Sequence, residues 1–247
     1  MVKDTKIYIS YNQVHQLIKD AVERYQINEE FKPDLMIAIG GGGFIPARIL
    51  RTFLKRANNK NIPIQAIGLS LYEDLFLPNP SNIHSNNSTS NSIKDDLANN
   101  DSLSTIGTQV IKTQWLHFGP SHATTTPLLG KNILIVDEVD DTRTTLAYAI
   151  QELTKDIEEE KRKFLQDNTE NVDIKVPETK FAVFVLHNKK KEKKMELPDL
   201  SITKEGRYFA AKETPDRWLV YPWEANDIEE HTKKSLMQQK EELEEIQ

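Results

Sequence analysis

The chain has 247 residues, a formal net charge of −6 and no cysteine. That length buries a substantial core and suits one α/β domain with appendages. The negative balance argues against a general nucleic-acid binder, and the absence of thiols excludes disulfide staples and cysteine chemistry. Met1 to Lys6 hold no apolar signal core and no run approaches membrane-spanning length, so a chain at work in the reducing cytosol, away from membranes, is expected. An anionic substrate must then be held by local backbone nests, local Arg or Lys and a divalent cation.

Ile7-Tyr8-Ile9 reads as a short strand, and Asn12 to Tyr25 has helical spacing through Val14, Leu17, Ile18, Val22 and Tyr25. Asp34 to Ile39 predicts a buried strand ending in Gly40-Gly41-Gly42-Gly43. A helix then starts near Pro46, a favoured first-turn residue, and carries Ile49, Leu50, Phe53 and Leu54. Glycine lets a backbone approach an anion closely, yet this run reads equally as a tight strand-helix turn. It lacks the spacing of a dinucleotide fingerprint. Pro63 to Leu69 is the next strand and leads into Ser70-Leu71-Tyr72-Glu73-Asp74. From Asn79 to Ser104, fourteen of twenty-six residues are Asn or Ser, a composition expected to form a disordered insertion in an already mobile loop.

The most informative stretch is Ile133-Leu134-Ile135-Val136-Asp137-Glu138-Val139-Asp140-Asp141-Thr142-Arg143-Thr144-Thr145. Its aliphatic start reads as a buried strand that runs into four acids within five positions. A hydroxyl-rich turn follows, then a long helix from about Thr144 to Phe164. Acids at the C-terminal mouth of a buried strand sit where open α/β sheets bind ligands. Hydroxyls and free N–H groups at a helix start suit a phosphate. Carboxylates for a diol or a metal beside a nest for a phosphomonoester describe a ribose 5-phosphate site. The bland alternative is an Asp-rich loop before an N-capped helix.

Phe181 to Leu186 is a fourth buried strand, and alternating strands and helices imply a doubly wound, mostly parallel sheet. The lysines at 189, 190, 191, 193 and 194 read as a solvated loop. Within Asp216 to Glu224, Trp218 is a flat apolar platform on which a purine stacks well, and Trp223 is assigned to the core. Ala225 to Gln247 is a polar tail, helical in pattern, with its acids on a solvated face.

The run from Ile133 to Thr145 resembles the phosphoribosyl diphosphate signature of the type I phosphoribosyltransferases: an aliphatic run, an acid pair, two residues, Asp-Thr, then a small or hydroxyl-rich turn. The likeness extends from Ile7 to about His231, outside the insertion. It is carried by Ile37 to Lys55, Ile133 to Thr145 and Tyr208 to Glu224, and is similar to the fungal-type xanthine and hypoxanthine-guanine branch. It implies a type I core with a small base-binding hood over residues 1–224, a tail over 225–247, and purine salvage through Mg²⁺-dependent glycosyl transfer. The substrates implied are phosphoribosyl diphosphate and a purine base, and a homodimer is usual. Gly40 to Phe44 and Tyr208 to Lys212 favour xanthine, whereas Pro63 to Leu75 reads equally well as the hypoxanthine-guanine type.

Residue by residue, the resemblance implies that Asp137 and Glu138 bind the ribose hydroxyls, directly or through Mg²⁺. Asp141 exchanges a proton with the reacting imidazole nitrogen, and together with Thr142, Arg143, Thr144 and Thr145 it forms the loop that grips the 5-phosphate. Many members carry Gly where this chain has Arg143. Gly40, Gly41, Gly42 and Gly43 form the diphosphate loop, and Gly41 stands where many relatives have Lys or Arg. Ser70, Leu71 and Tyr72 match the Ser-x-Tyr of a closing loop that excludes water. Trp218 and Leu219 line the base pocket, Glu224 matches an acid near the metal, and His187 or Lys189 stands where relatives use a Lys toward the purine 6-oxygen. Two rivals remain open: a regulatory homologue that binds the diphosphate substrate without turnover, and a receiver-type signalling domain. The second needs acids at the end of its first strand, and this chain's first strands end otherwise.

Overall fold

The structure is a computed structural model and describes residues 6–55, 60–73, 108–116, 127–169 and 174–244; for Ser70 to Glu73 it describes the backbone. The Asn/Ser-rich segment 79–104 lies outside the described residues. In chain order the elements are β1 (Lys6–Tyr8), α1 (Tyr11–Arg24), α2 (Ile27–Glu30), β2 (Leu35–Gly40), α3 (Phe44–Phe53), β3 (Ile64–Glu73) and β4 (Thr108–Gln114). There follow β5 (Asn132–Asp140), α4 (Thr144–Asp167), β6 (Lys180–Lys189), α5 (Ser201–Lys204), β7 (Tyr208–Thr214), β8 (Trp218–Val220), one 3-10 turn (Pro222–Glu224) and α6 (Ile228–Glu244).

The central sheet has six strands in the order β4-β3-β2-β5-β6-β7. All neighbours are parallel except β3 and β4, which are antiparallel. Period-2 alternation sends the two faces of each strand into different cores. Met36, Ala38, Leu134, Val136, Ala182 and Phe184 pack against α1 and α3. Ile37, Ile39, Ile133, Ile135, Val183 and Val185 pack against Leu146, Ile150 and Leu153 of α4. Strands buried on both faces need the continuous aliphatic runs seen at 35–39 and 133–136.

The helix after β2 covers one face and the helix after β5 covers the other. The topology therefore reverses between the two central strands, and their C-terminal ends open the crevice in which such sheets bind ligands. β2 delivers the glycine run there and β5 delivers the acids, with Ala38, two residues before Gly40, paired to Val136, immediately before Asp137.

The short first strand joins β8 in a separate parallel pair beside the central sheet. Two features depart from the sequence reading. The helix expected near Pro46 opens two residues earlier at Phe44, with Gly43 as its N-cap. The backbone through Ser70, Leu71 and Tyr72, expected in a loop, continues β3 because β4 supplies a ladder for it as far as Glu73.

The pair β1–β8 forms a small hood tied down from both ends of the chain. Ser10 and Gln13 close a capping box at the start of α1. From α6, Ser235 Oγ donates to Gln13 Oε1 (2.7 Å), His231 Nε2 lies 2.8 Å from the Ile9 carbonyl, and Gln238 Oε1 accepts the Tyr8 N–H at 2.9 Å. The polar tail thus keeps its acids in solvent while its other face holds the hood.

Candidate active site

The crevice is built around β5. Asp137 is buried, and one of its oxygens accepts the Glu138 N–H at 2.9 Å. Burial, then the neighbouring Glu138 charge, pushes the Asp137 carboxyl well above the ordinary aspartate range. The Glu138 carboxylate crosses to the glycine turn: a Cβ placed on Gly42 would lie 1.4 Å from Glu138 Oε2. A Cβ on Gly43 would meet the Val136 and Ile39 carbonyls at 2.4 and 2.6 Å, whereas one on Gly41 meets nothing within 4 Å. The Gly40–Gly41 peptide is cis. The glycines are therefore required by the closeness of β2 to β5 at positions 42 and 43, and Gly41 points into open space.

Glu138 Oε2 is buried without a hydrogen-bond partner among the described residues. An orphaned carboxylate oxygen beside a second carboxylate fits a hard divalent cation that draws its remaining ligands from substrate oxygens and water, as Mg²⁺ does. Glu224 shares this neighbourhood, since its charge, after burial and the Glu138 and Asp137 charges, helps to raise the Tyr221 hydroxyl pKa. No three acidic or imidazole side chains among the described residues converge into a metal cage, so Glu224 does not complete one with Asp137 and Glu138.

The floor beneath Glu138 is aromatic. Tyr221 donates its hydroxyl to the Glu138 carbonyl (3.1 Å) and lies 2.9 Å from His187 Nδ1. With the tyrosine proton so placed, His187 donates from Nδ1. Burial, with a smaller push from Lys212, brings its pKa down to about 4, so the ring is neutral at physiological pH. Trp223 stacks on Tyr221 at 4.7 Å and joins the core as expected. His187, 1% exposed, and the Leu219 side chain, also buried, are thus packed into the interior. Neither presents its side chain at the surface as the base-pocket assignment required. Trp218, on the adjacent strand position, is 68% exposed.

Helix α4 starts at Thr144 with Arg143 as its N-cap, and no side chain caps it. The Ala147 N–H finds the Arg143 carbonyl at 2.9 Å, which leaves the first-turn N–H groups aimed at the crevice. With the Thr142 and Thr144 hydroxyls, 3.0 Å apart, and the half-buried Thr145, they make a nest for an anion. Arg143 takes a glycine's conformation, φ 69°. Its guanidinium does not reach toward that nest as expected. It turns back to buried Asp140, with Nε and Nη2 both 2.9 Å from Oδ2.

The lysine run is not a solvated loop. Lys189 Nζ lies 3.0 Å from Asp141 Oδ2, Lys191 pairs with the other Asp141 oxygen, and Asp216 joins both lysines at 3.6 and 3.1 Å. Burial opposes ionisation of Asp141, but the hydrogen bonds and charges of Lys191 and Lys189 outweigh it and hold the carboxyl below its ordinary value. Lys193 donates to the carbonyls of Asp140, Asp141 and Lys189 at 2.7, 3.1 and 3.0 Å. The sequence reading missed this set. A charge run looks solvated in one dimension, and only the parallel pairing of Asp140 with Asn188 brings it alongside the acids.

A reversed α/β crevice with an acid-rich strand end, a tight glycine turn and an uncapped helix start is the arrangement of a type I phosphoribosyltransferase. No family model matches the chain. It is 50% identical over 232 residues to xanthine phosphoribosyltransferase 1 of Saccharomyces cerevisiae, covering 94% of this chain and 96% of that one. It is 47% identical over 226 residues to the hypoxanthine-guanine phosphoribosyltransferase of Schizosaccharomyces pombe, covering 92% of each. Among solved structures, a hypothetical protein from Neisseria gonorrhoeae with bound ppGpp superposes with a TM-score of 0.61 at 33% identity, over 94% of this chain and 96% of that one. A purine phosphoribosyltransferase from Pyrococcus horikoshii shares the fold, with a TM-score of 0.51 at 20% identity over 90% and 97% of the two chains. The chain belongs to the purine phosphoribosyltransferases, transferases of purine salvage.

Proposed function

We propose that the protein transfers ribose 5-phosphate from phosphoribosyl diphosphate to a 6-oxopurine, xanthine first, with hypoxanthine or guanine as the runner-up. The observation that carries this reading is the carboxylate of Glu138 lying against Gly42 across the crevice, beside buried Asp137. Two acids and a close-approach backbone share the same few ångströms of space there, which supports a site for a diol beside a diphosphate. The preference for xanthine rests on the likeness of Gly40 to Phe44 and Tyr208 to Lys212; identities of 50% and 47% to the two kinds of relative leave it to experiment.

In the reaction an imidazole nitrogen of the base bonds to the anomeric carbon, the carbon–oxygen bond to diphosphate breaks, and its electron pair leaves with the diphosphate. The nitrogen gives up its proton. Mg²⁺, held by Asp137 and Glu138, would neutralise charge on the diphosphate leaving group. Asp137 and Glu138 take the ribose hydroxyls, the first turn of α4 with Thr142, Thr144 and Thr145 takes the 5-phosphate, and Gly40 to Gly43 take the diphosphate. Asp141 is kept ionised by Lys189 and Lys191 and accepts a hydrogen bond from the base, taking the released proton. Trp218 offers its exposed ring for stacking. Of the two residues matched to the 6-oxygen donor, Lys189 is the one with a cationic side chain, and its ion pair with Asp141 keeps it beside the proposed proton acceptor. The protein acts in the cytoplasm as a homodimer; among the described residues no helix is long and apolar enough to cross a membrane.

Incubation with Mg²⁺, phosphoribosyl diphosphate and each of xanthine, guanine, hypoxanthine and adenine tests the reading. Xanthine is expected to give nucleotide fastest. Guanine or hypoxanthine ahead of it would keep the chemistry and change the substrate. Binding of the diphosphate substrate without any product would indicate a regulatory homologue.

A further inference from the structure

Arg143 is one of three non-glycine residues with positive φ among those described, and it stands at the N-cap of the helix whose first turn faces the crevice. A residue with a Cβ is strained in that conformation, so its neighbours must hold it there. Asp140, whose side chain is fully buried, takes the guanidinium on Oδ2. The Tyr208 hydroxyl donates to the same oxygen at 2.5 Å, and the Arg143 guanidinium lies over the Tyr208 ring, 5.2 Å from its centre. Lys193 Nζ approaches Asp140 Oδ1 at 3.4 Å while donating to the carbonyls of Asp140 and Asp141, and the next N–H, that of Lys194, donates to the Thr142 carbonyl at 3.0 Å. Every polar contact found for the guanidinium leads inward.

We infer that Asp140 is a positioning residue: braced by Tyr208 and Lys193, it holds Arg143 in the left-handed conformation and so clamps the turn from Asp141 to Thr145 in the shape that exposes the α4 N–H groups to phosphate. In this chain an ion pair performs what glycine performs in many type I sequences. The inference rests on the reading of this turn as the 5-phosphate site, and it assigns Arg143 to the backbone's shape instead of to the ligand's charge.

Arg143→Gly and Arg143→Ala separate the two roles, because both remove the cation but Gly alone tolerates the conformation. With phosphoribosyl diphosphate as the varied substrate, Arg143→Ala is expected to raise KM about tenfold more than Arg143→Gly, the scale of the left-handed penalty, with kcat changing far less. Asp140→Asn should raise KM as Arg143→Ala does, and adding Arg143→Gly to it should restore part of the loss. Equal rises in KM for the two Arg143 variants would show that the cation grips phosphate directly and overturn the clamp. Lowered melting temperatures with unchanged KM would reduce it to a structural ion pair and overturn it equally. Failure of the unmutated protein to bind phosphoribosyl diphosphate would overturn the transferase reading itself, an outcome distinct from either.

Discussion

Asp141 stands at the meeting point of three charges, with Lys189 and Lys191 on its two oxygens and Asp216 behind them. The two lysines hold its carboxyl below the ordinary aspartate value, and Asp141→Asn is expected to keep binding of the diphosphate substrate while lowering turnover by roughly 10²–10⁴; steady-state kinetics with unchanged kcat would remove it from the mechanism. Trp218 is exposed enough that its loss costs the fold little. Trp218→Ala should weaken base binding by ~1–3 kcal/mol, read as a raised KM for the base, at a nearly constant melting temperature. His187 illustrates the opposite case. Its pKa falls from near 6.5 to about 4 on folding, so below pH ~6.5 the unfolded chain binds the extra proton. Stability is thus full above that value and declines as pH drops toward about 4, by up to roughly 3 kcal/mol. Melting curves of His187→Gln should be flatter than the native ones over this window, and parallel curves would contradict the assignment.

At the scale of elements, the strand-acid-turn-helix unit from Asn132 to Asp167 was legible because all its signals are contiguous: a both-faces aliphatic run, the acids, the hydroxyl turn and the helical period. The glycine turn was legible in kind but not in cause. Position 43 is closed to a side chain by the Val136 and Ile39 carbonyls, and position 42 is crowded by Glu138, nearly a hundred residues away in sequence. Gly42→Ala forces that carboxylate aside and should cost binding of the diphosphate substrate about 1–3 kcal/mol, an overpacking penalty. Gly41→Ala, with nothing within 4 Å of its Cβ, should lose far less; calorimetric titration of both variants decides, and equal losses would refute the close-approach account. What the sequence hid is tertiary. Lysines 189 to 193 fold onto Asp140 and Asp141, Arg143 turns inward to Asp140, and His187 sits under Tyr221. None of these contacts has a local periodicity to betray it. The seat of α6 on β1 left only a faint trace, His231 and Ser235 one turn apart in a polar helix.

Among the described residues a crevice opens between two cores. α1 and α3 cover one face of the sheet and α4 the other, and the reversal between β2 and β5 opens the crevice at their C-terminal ends. The hood reaches this mouth through Tyr221, which meets the Glu138 carbonyl and carries Trp223 stacked on its ring, and α6 holds the hood in place. The proposed base platform, diol acids and phosphate nest are thereby carried by three separate parts of the fold. The central claim is that the acids of β5 are the ribose site. Calorimetric titration of phosphoribosyl diphosphate with Mg²⁺ into the native protein and into Asp137→Asn/Glu138→Gln tests it most directly. The account predicts saturable binding to the native protein and none to the double variant at the same concentrations. Undiminished binding to a folded double variant would contradict it.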